Sequence, residues 1–167
     1  MPRVEYLVRG GPMASKIWVD MEGWGVEFLG RLASRTGRAP RMAPHLAVGL
    51  RGEREALFEL RRRGYTVVAR RWKSSKLRGD LDLVAWEGGW LCFVEVKTRS
   101  ERREVTPAEG AVDEGKRKML RRMGQAYLRG FPEERRGEIP VRFDVVTVYL
   151  HGGRAEFEVY RGAFGWG

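Results

Sequence analysis

Asp80-Leu81-Asp82-Leu83-Val84-Ala85-Trp86-Glu87-Gly88-Gly89-Trp90-Leu91-Cys92-Phe93-Val94-Glu95-Val96-Lys97-Thr98 is the stretch on which the fold turns. Two alternating runs of β-forming residues flank Gly-Gly, a dipeptide suited to a two-residue hairpin turn because both central positions need positive φ. Successive strand side chains point to opposite faces, so Asp80 and Asp82 share one face of the first strand, and Glu95 and Lys97 share one of the second. Pairing about the turn places Asp82 beside Glu95, provided they share a face. Directly opposed carboxylates repel and destabilise a sheet. A divalent cation removes that conflict, since Mg²⁺ takes hard oxygen ligands and keeps several waters. The backbone carbonyl of Val96 offers a further ligand. Lys97, held beside such an ion, can stabilise charge developing on a phosphate and orient or deprotonate an attacking water. An alternating strand with a merely solvated outer face would also carry Glu and Lys two residues apart. What separates the readings is the aspartate at matching height on the partner strand.

Outward from the hairpin, Leu50–Arg63 reads as a helix with Ala56, Leu57 and Leu60 on one face, and Gly64 as its stop. Tyr65–Ala69 is β-branched and aromatic, a strand. Lys73–Arg78 is a basic loop, and Ser100–Pro107 is another loop. Val112–Leu128 predicts a second helix, Pro132–Pro140 a loop, and Val141–Leu150 and Ala155–Tyr160 two final strands. The predicted order is αβββαββ, one α/β domain over residues 48–167 with a central mixed sheet flanked by helices. Residues 1–47 read as a poorly ordered extension. Ile17, Met21, Trp24 and Phe28 have near-helical spacing there, but Gly23, Gly25 and Gly30 interrupt it, and Thr36–Pro44 is linker-like. Met42, followed at once by the ordered pattern, reads as an alternative start, and residues 1–41 are expected to be dispensable for fold and activity.

Composition narrows the chemistry. One cysteine, Cys92, cannot form an internal disulfide, and with only His45 and His151 it cannot build a zinc cage. Cys92 lies in a strand-like run and reads as a small core residue. Carboxylates and lysines are left to do catalysis. No apolar run approaches the roughly 18 residues of a membrane span, and no signal peptide is recognisable, so the expected location is cytoplasmic, with no membrane partner and no organic cofactor. The net charge of +10 suits a polyanionic partner, although 26 arginines against 6 lysines can also reflect genome composition.

Gly79-Asp80-Leu81-Asp82-Leu83-Val84-Ala85 and Phe93-Val94-Glu95-Val96-Lys97-Thr98-Arg99 resemble the core of the bacterial YraN family, classed as nuclease-like with the PD-(D/E)xK, restriction-endonuclease-like fold and related to archaeal Holliday-junction resolvases. The resemblance extends over roughly residues 49–164. It includes Gly49-x-x-Gly52-Glu53-x-x-Ala56, Gly64-Tyr65, Ala111-Val112-x-x-x-Lys116 and Arg142-Phe143-Asp144-Val145-Val146. It implies that Asp82 and Glu95 bind Mg²⁺ or Mn²⁺, that Lys97 assists catalysis, and that Glu53 is the carboxylate the first helix brings to the site; an ordinary exposed helix glutamate is the other reading of Glu53. The implied activity is endonucleolytic hydrolysis of DNA, branched or damaged by kinship with resolvases, and the implied assembly is a homodimer. A DNA-binding or assembly module that keeps the nuclease fold without its activity is the rival expectation. Asp80 stands where the family usually has Glu, the loop before Gly79 is longer than expected, and the Phe-Gly that often follows Lys-Thr-Arg is missing.

Basic residues surround the predicted site. Arg70, Arg71, Lys73, Lys76 and Arg78 precede the acidic strand, with Trp72 among them, and Arg99, Arg102 and Arg103 follow Lys97. Trp72 reads either as a base-stacking residue or as a half-buried strand end. Lys116, Arg117, Lys118, Arg121 and Arg122 form a further stripe, either a DNA contact or a solvated helix face. Without a base-reading motif, DNA binding should depend steeply on salt and barely on sequence. About six neutralised phosphates give a slope near −5 in log affinity against log salt. A salt titration by fluorescence anisotropy checks this, and affinity that stays flat up to physiological salt would contradict it.

Overall fold

The computed structural model describes residues 43–99, 112–151 and 153–166; the expectations for residues 1–42 and for the Ser100–Pro107 loop lie outside these. The described elements are α1 (Pro44–Arg62), β1 (Thr66–Trp72), β2 (Leu81–Glu87), β3 (Trp90–Arg99), α2 (Glu114–Leu128), α3 (Glu133–Arg136), β4 (Val141–His151) and β5 (Arg154–Phe164). They belong to one compact unit, Met42–Gly167. The predicted order holds, with one addition: the expected Pro132–Pro140 loop contains the four-residue α3. None of the described helices is long and apolar enough to cross a membrane.

The helix predicted from Leu50 begins six residues earlier, at Pro44. Proline suits the first helical position, because its missing N–H would have no intrahelical partner there and its φ is already helical. The Arg-Gly-Pro character upstream had masked that start. At the start of α2, Asp113 is the N-cap, its Oδ1 accepting from the Lys116 N–H at 2.8 Å.

The five strands form one sheet in the order β1-β2-β3-β4-β5, antiparallel except for the parallel pair β3 and β4. A parallel pair needs a crossover, and α2 lies within it. Gly88 and Gly89 have φ of 56° and 98°, the positive values that a tight hairpin between β2 and β3 requires. Register follows from that turn: Glu87 pairs with Trp90, and the ladder runs to Leu83 opposite Val94. Asp82 and Glu95 are the next residues outward on the two strands, where the backbone pairing ends.

Each face of the sheet is covered. On one, Val84, Phe93, Phe143 and Val145 pack with Leu120, Met123 and Tyr127 of α2. On the other, Leu83, Ala85, Cys92, Val94, Val146 and Val148 pack with Ala56, Leu57 and Leu60 of α1. Cys92 is fully buried, its thiol pushed up to about 12 chiefly by burial, which fits the core role read from sequence. Trp72 takes the packing role, edge-on to Tyr127 at 5.2 Å.

α1 approaches the sheet most closely at Gly52, where a Cβ would collide with the Thr98 side chain on β3. The contact seats the neighbouring Glu53 at the sheet. Gly52→Ala should destabilise the protein by about 1–3 kcal/mol through overpacking, and Thr98→Ala in the same chain should recover part of that loss. Thermal melts check this; a Gly52→Ala protein that melts like the parent would contradict the close approach.

Candidate active site

The site lies where the β2–β3 ladder ends. Asp82 Oδ2 accepts the Val96 N–H at 2.8 Å, so the aspartate side chain bridges the two strands beyond their last backbone pair. Glu95, on β3, is only 3% exposed. Its Oε1 lies 3.1 Å from Lys97 Nζ and its Oε2 lies 3.0 Å from Lys116 Nζ. The second contact is a close ion pair without good hydrogen-bond alignment, which leaves Oε2 buried and unsatisfied as an acceptor.

Asp82, Glu95, Val96 and Lys97 line a cleft of about 500 Å³ together with Glu53, His45, Val48, Gly49 and Thr98. Three backbone elements thus converge. β2 and β3 supply the residues that the hairpin pattern places together, and α1, from the opposite face of the sheet, brings Glu53 to the same cleft. Glu53 Oε2 is 3.8 Å from Arg71 Nε. Arg71 is the one described non-glycine residue at positive φ, 45°, a conformation that costs such a residue about 1–2 kcal/mol. Lys97 faces the cleft. Lys116 does not line it, and grips Glu95 from the α2 side.

The electrostatics are those of crowded acids. Burial, then the neighbouring Glu95 carboxylate, raises the Asp82 pKa to about 7 against the opposing Val96 N–H and Lys116. Burial also raises Glu53; Arg71 and Arg70 work against it, while Asp80 and Glu95 add to it. For Lys116, burial disfavours the ammonium, but Glu95, with help from Asp82 and Asp80, outweighs it, so its pKa is raised.

Among the described residues, no three acidic, histidine or cysteine side chains close around one point. The residues that are present nevertheless fit a hard divalent cation. Glu95 keeps an unsatisfied buried oxygen, Asp82 is held beside it at a raised pKa, and the donors are all oxygens. Asp82, Glu95 and the Val96 carbonyl would hold such an ion with water completing its shell.

The sequence leaves Lys116 either as a DNA contact or on a solvated helix face; in the structure its ammonium lies 3.0 Å from Glu95 Oε2. Sequence reading had discounted His45, which lines the cleft. Nothing in the sequence signalled His45, because the segment carrying it had been read as extension rather than helix. Of the predicted basic contacts, Arg70 and Arg71 sit on β1 beside Glu53, and Arg99 ends β3. Lys73 is exposed, and Lys76 and Arg78 line a separate cleft against α2. Arg102 and Arg103 lie outside the described residues.

The raised Asp82 pKa has a stability consequence. With a folded value of about 7 and an ordinary value of 3.8, the metal-free folded state binds the extra proton between these limits. Stability should therefore be highest below about pH 4 with respect to this group and be lost as pH rises through about 7. Asp82→Asn removes that dependence. Melting temperatures without metal should fall more for the parent than for Asp82→Asn between about pH 5 and pH 7.5; parallel profiles would contradict the crowded-acid geometry.

Comparison with known proteins places this constellation inside a family match. The family model described as Uncharacterised protein family UPF0102, the YraN family, matches residues 52–148, which include Glu53, Asp82, Glu95, Lys97 and Lys116. The chain is similar to the UPF0102 protein of Koribacter versatilis, 47% identical over 120 residues that make up 72% of this chain and 80% of the relative. It is similar also to the UPF0102 protein of Rhodococcus opacus, 42% identical over 124 residues, 74% of this chain and the whole of the relative. A third, from Symbiobacterium thermophilum, is 45% identical over 103 residues, 60% of this chain and 80% of the relative. With more than half of its length matched by the family model and relatives this similar, the chain belongs to the UPF0102 family.

Proposed function

We propose that the protein hydrolyses phosphodiester bonds in DNA as an endonuclease, with Mg²⁺ or Mn²⁺ as cofactor. The observation that carries this reading is the placement of two crowded carboxylates, Asp82 and Glu95, with the Lys97 ammonium 3.1 Å from Glu95 at the edge of an open cleft. Acids pushed together at a cost in stability, beside a cation and at the wall of a cleft, are a pattern of chemistry rather than of scaffolding.

Each side chain has a distinct task in this reading. Asp82 and Glu95 offer oxygens to the metal, which when bound supplies Lewis-acid polarisation of the phosphate and a more acidic water. Lys97, facing the cleft, donates to a phosphate oxygen as charge builds there. Glu53 lies at the same cleft with a raised pKa, suited to accepting or orienting a proton of the attacking water. Lys116 fixes the Glu95 carboxylate from behind and is a positioning residue. Arg70 and Arg71 on β1 and Arg99 at the end of β3 provide cations where a nucleic-acid backbone would dock.

A second reading has its own observation. Both Glu95 oxygens already face ammonium groups, at 3.1 Å and 3.0 Å, so the cluster is neutralised in part without an ion. A nucleic-acid-binding or assembly module that retains the fold but not the activity would need no more. Cleavage separates the two. Linear, nicked, flapped and four-way DNA incubated with Mg²⁺ or Mn²⁺ should show cutting of at least one form. Glu95→Gln and Lys97→Ala should each lower the rate by about 10²–10³-fold while DNA binding largely survives. If the parent protein cuts none of these, or both variants cut at its rate, the binding-module reading replaces the enzyme.

A further inference from the structure

The five basic residues of the α2 stripe do not share one role. Lys116 is committed to Glu95. Arg121 is committed to Glu114, Nη1 to Oε1 at 2.9 Å, and to the Gly165 carbonyl, while Arg117 donates to the Val112 carbonyl at 2.9 Å. Both Arg117 and Arg121 also lie over the Phe164 ring, at 5.7 Å. Lys118 and Arg122 remain, exposed and without an acidic partner among the described residues. They line a cleft of about 310 Å³ whose other wall is the β1–β2 loop, and that loop contributes two more exposed cations, Lys76 and Arg78.

The cleft is more than a charged surface. Between the four cations its floor is apolar: Leu77 and Met119, half-buried, and Met123, fully buried. Its width is fixed where the loop meets the helix, because Gly79 packs so close to Met119 that a Cβ there would lie 2.6 Å from the sulfur. Four cations with no acidic partner among the described residues favour phosphate. An apolar floor on which the Met119 thioether is partly exposed favours the flat face of an aromatic ring. The volume is that of a small-ligand pocket. A ring and a phosphate held side by side describe one nucleotide.

We propose that this cleft binds an unpaired nucleotide of a single-stranded nucleic-acid segment, its base on Leu77 and Met119 and its phosphate among Lys76, Arg78, Lys118 and Arg122. The proposal deepens the phosphodiesterase reading of the active site and rests on it for the identity of the substrate. The two sites are joined by short pieces of backbone. Arg78 is four residues from Asp82 along the chain into β2, and Lys118 is two residues from Lys116 on another side of α2, so the cleft and the site share the same two elements but no lining residue. In a paired duplex the bases are stacked inside the helix and cannot reach the floor. The preferred substrate class is therefore DNA with a single-stranded segment beside the scissile bond, such as a flap or a gap.

The test uses the full chain in EDTA, so that binding is read without cleavage. Fluorescence anisotropy compares a single-stranded oligonucleotide, its duplex, and the same strand with abasic positions. Lys118→Glu with Arg122→Glu should weaken single-strand binding at least tenfold and duplex binding less than threefold. Arg61→Glu with Arg154→Glu, an equal charge change on exposed residues outside the cleft, should weaken either less than threefold. The abasic strand should bind the parent protein several-fold more weakly than the intact strand. Equal losses in the two double variants, equal losses for single strand and duplex, or an abasic strand bound as tightly as the intact one would each overturn the proposal. A protein that shows the expected binding pattern yet cuts no DNA with metal keeps the cleft and loses the nuclease; one that cuts but shows equal losses keeps the nuclease and loses the cleft.

Discussion

Glu95 is a carboxylate on an internal strand of the sheet, almost wholly removed from solvent, and the arrangement of the site follows from what it takes to keep it there. The penalty for burying one ion is several kcal/mol even after relaxation. Two ammonium groups offset it, and each comes from a different element: Lys97 from β3 itself and Lys116 from α2. α2 must therefore cover this face of the sheet in one register, which Leu120, Met123 and Tyr127 set by packing on Phe93 and Phe143. Each large apolar side chain so buried contributes about 1.5–3 kcal/mol, enough for a few of them to outweigh one poorly satisfied acid. Asp82 adds to the burden rather than relieving it, since its own carboxyl is raised to about 7 by burial and by Glu95.

A second buried carboxylate shows how different a purely structural acid looks. Asp144, fully buried on β4, accepts from Arg142 Nε at 2.8 Å and Nη2 at 3.0 Å, from the Tyr65 hydroxyl at 3.0 Å and from the Gly162 N–H at 2.9 Å. Arg142 goes on to Glu87 at 3.1 Å, which also meets Arg161 at 3.2 Å. Every oxygen there has well-aligned donors, as buried polar groups usually do. At Glu95 the alignment is incomplete and a second acid crowds in. The protein can satisfy a buried carboxylate and does so at Asp144; the strain at Asp82 and Glu95 is local to the cleft.

The hairpin and its acid pair were legible because one feature, the Gly88-Gly89 turn, sets both the strand boundaries and the register. Face sharing then follows from strand periodicity, and the cores of both helices from their apolar spacing. The start of α1 was not legible: Pro44 reads as linker beside Arg and Gly, and only as a helix start once the helix is seen. The four-residue α3 is too short to show a period. The partner of Lys116 was hidden for a different reason. A basic stripe on a helix says nothing about which cation turns inward, because that depends on how the crossover seats α2 on the sheet. Trp72 shows the same limit, since the choice between packing and exposure rests with Tyr127, more than fifty residues away in sequence. Tertiary placement decides these cases, and local pattern carries no trace of it.

The central claim is that Asp82 and Glu95 form a cation site rather than a self-neutralised acid–lysine cluster. Electron paramagnetic resonance of Mn²⁺ measures it directly, since the signal of the free ion falls as the protein binds it. Titrated near neutral pH, the parent chain should bind about one Mn²⁺ in the micromolar to millimolar range, and Glu95→Gln should abolish that binding without unfolding the protein. If the parent chain leaves the free-ion signal unchanged, or if Glu95→Gln binds as the parent does, the carboxylate pair is not a metal site and the account fails at its foundation.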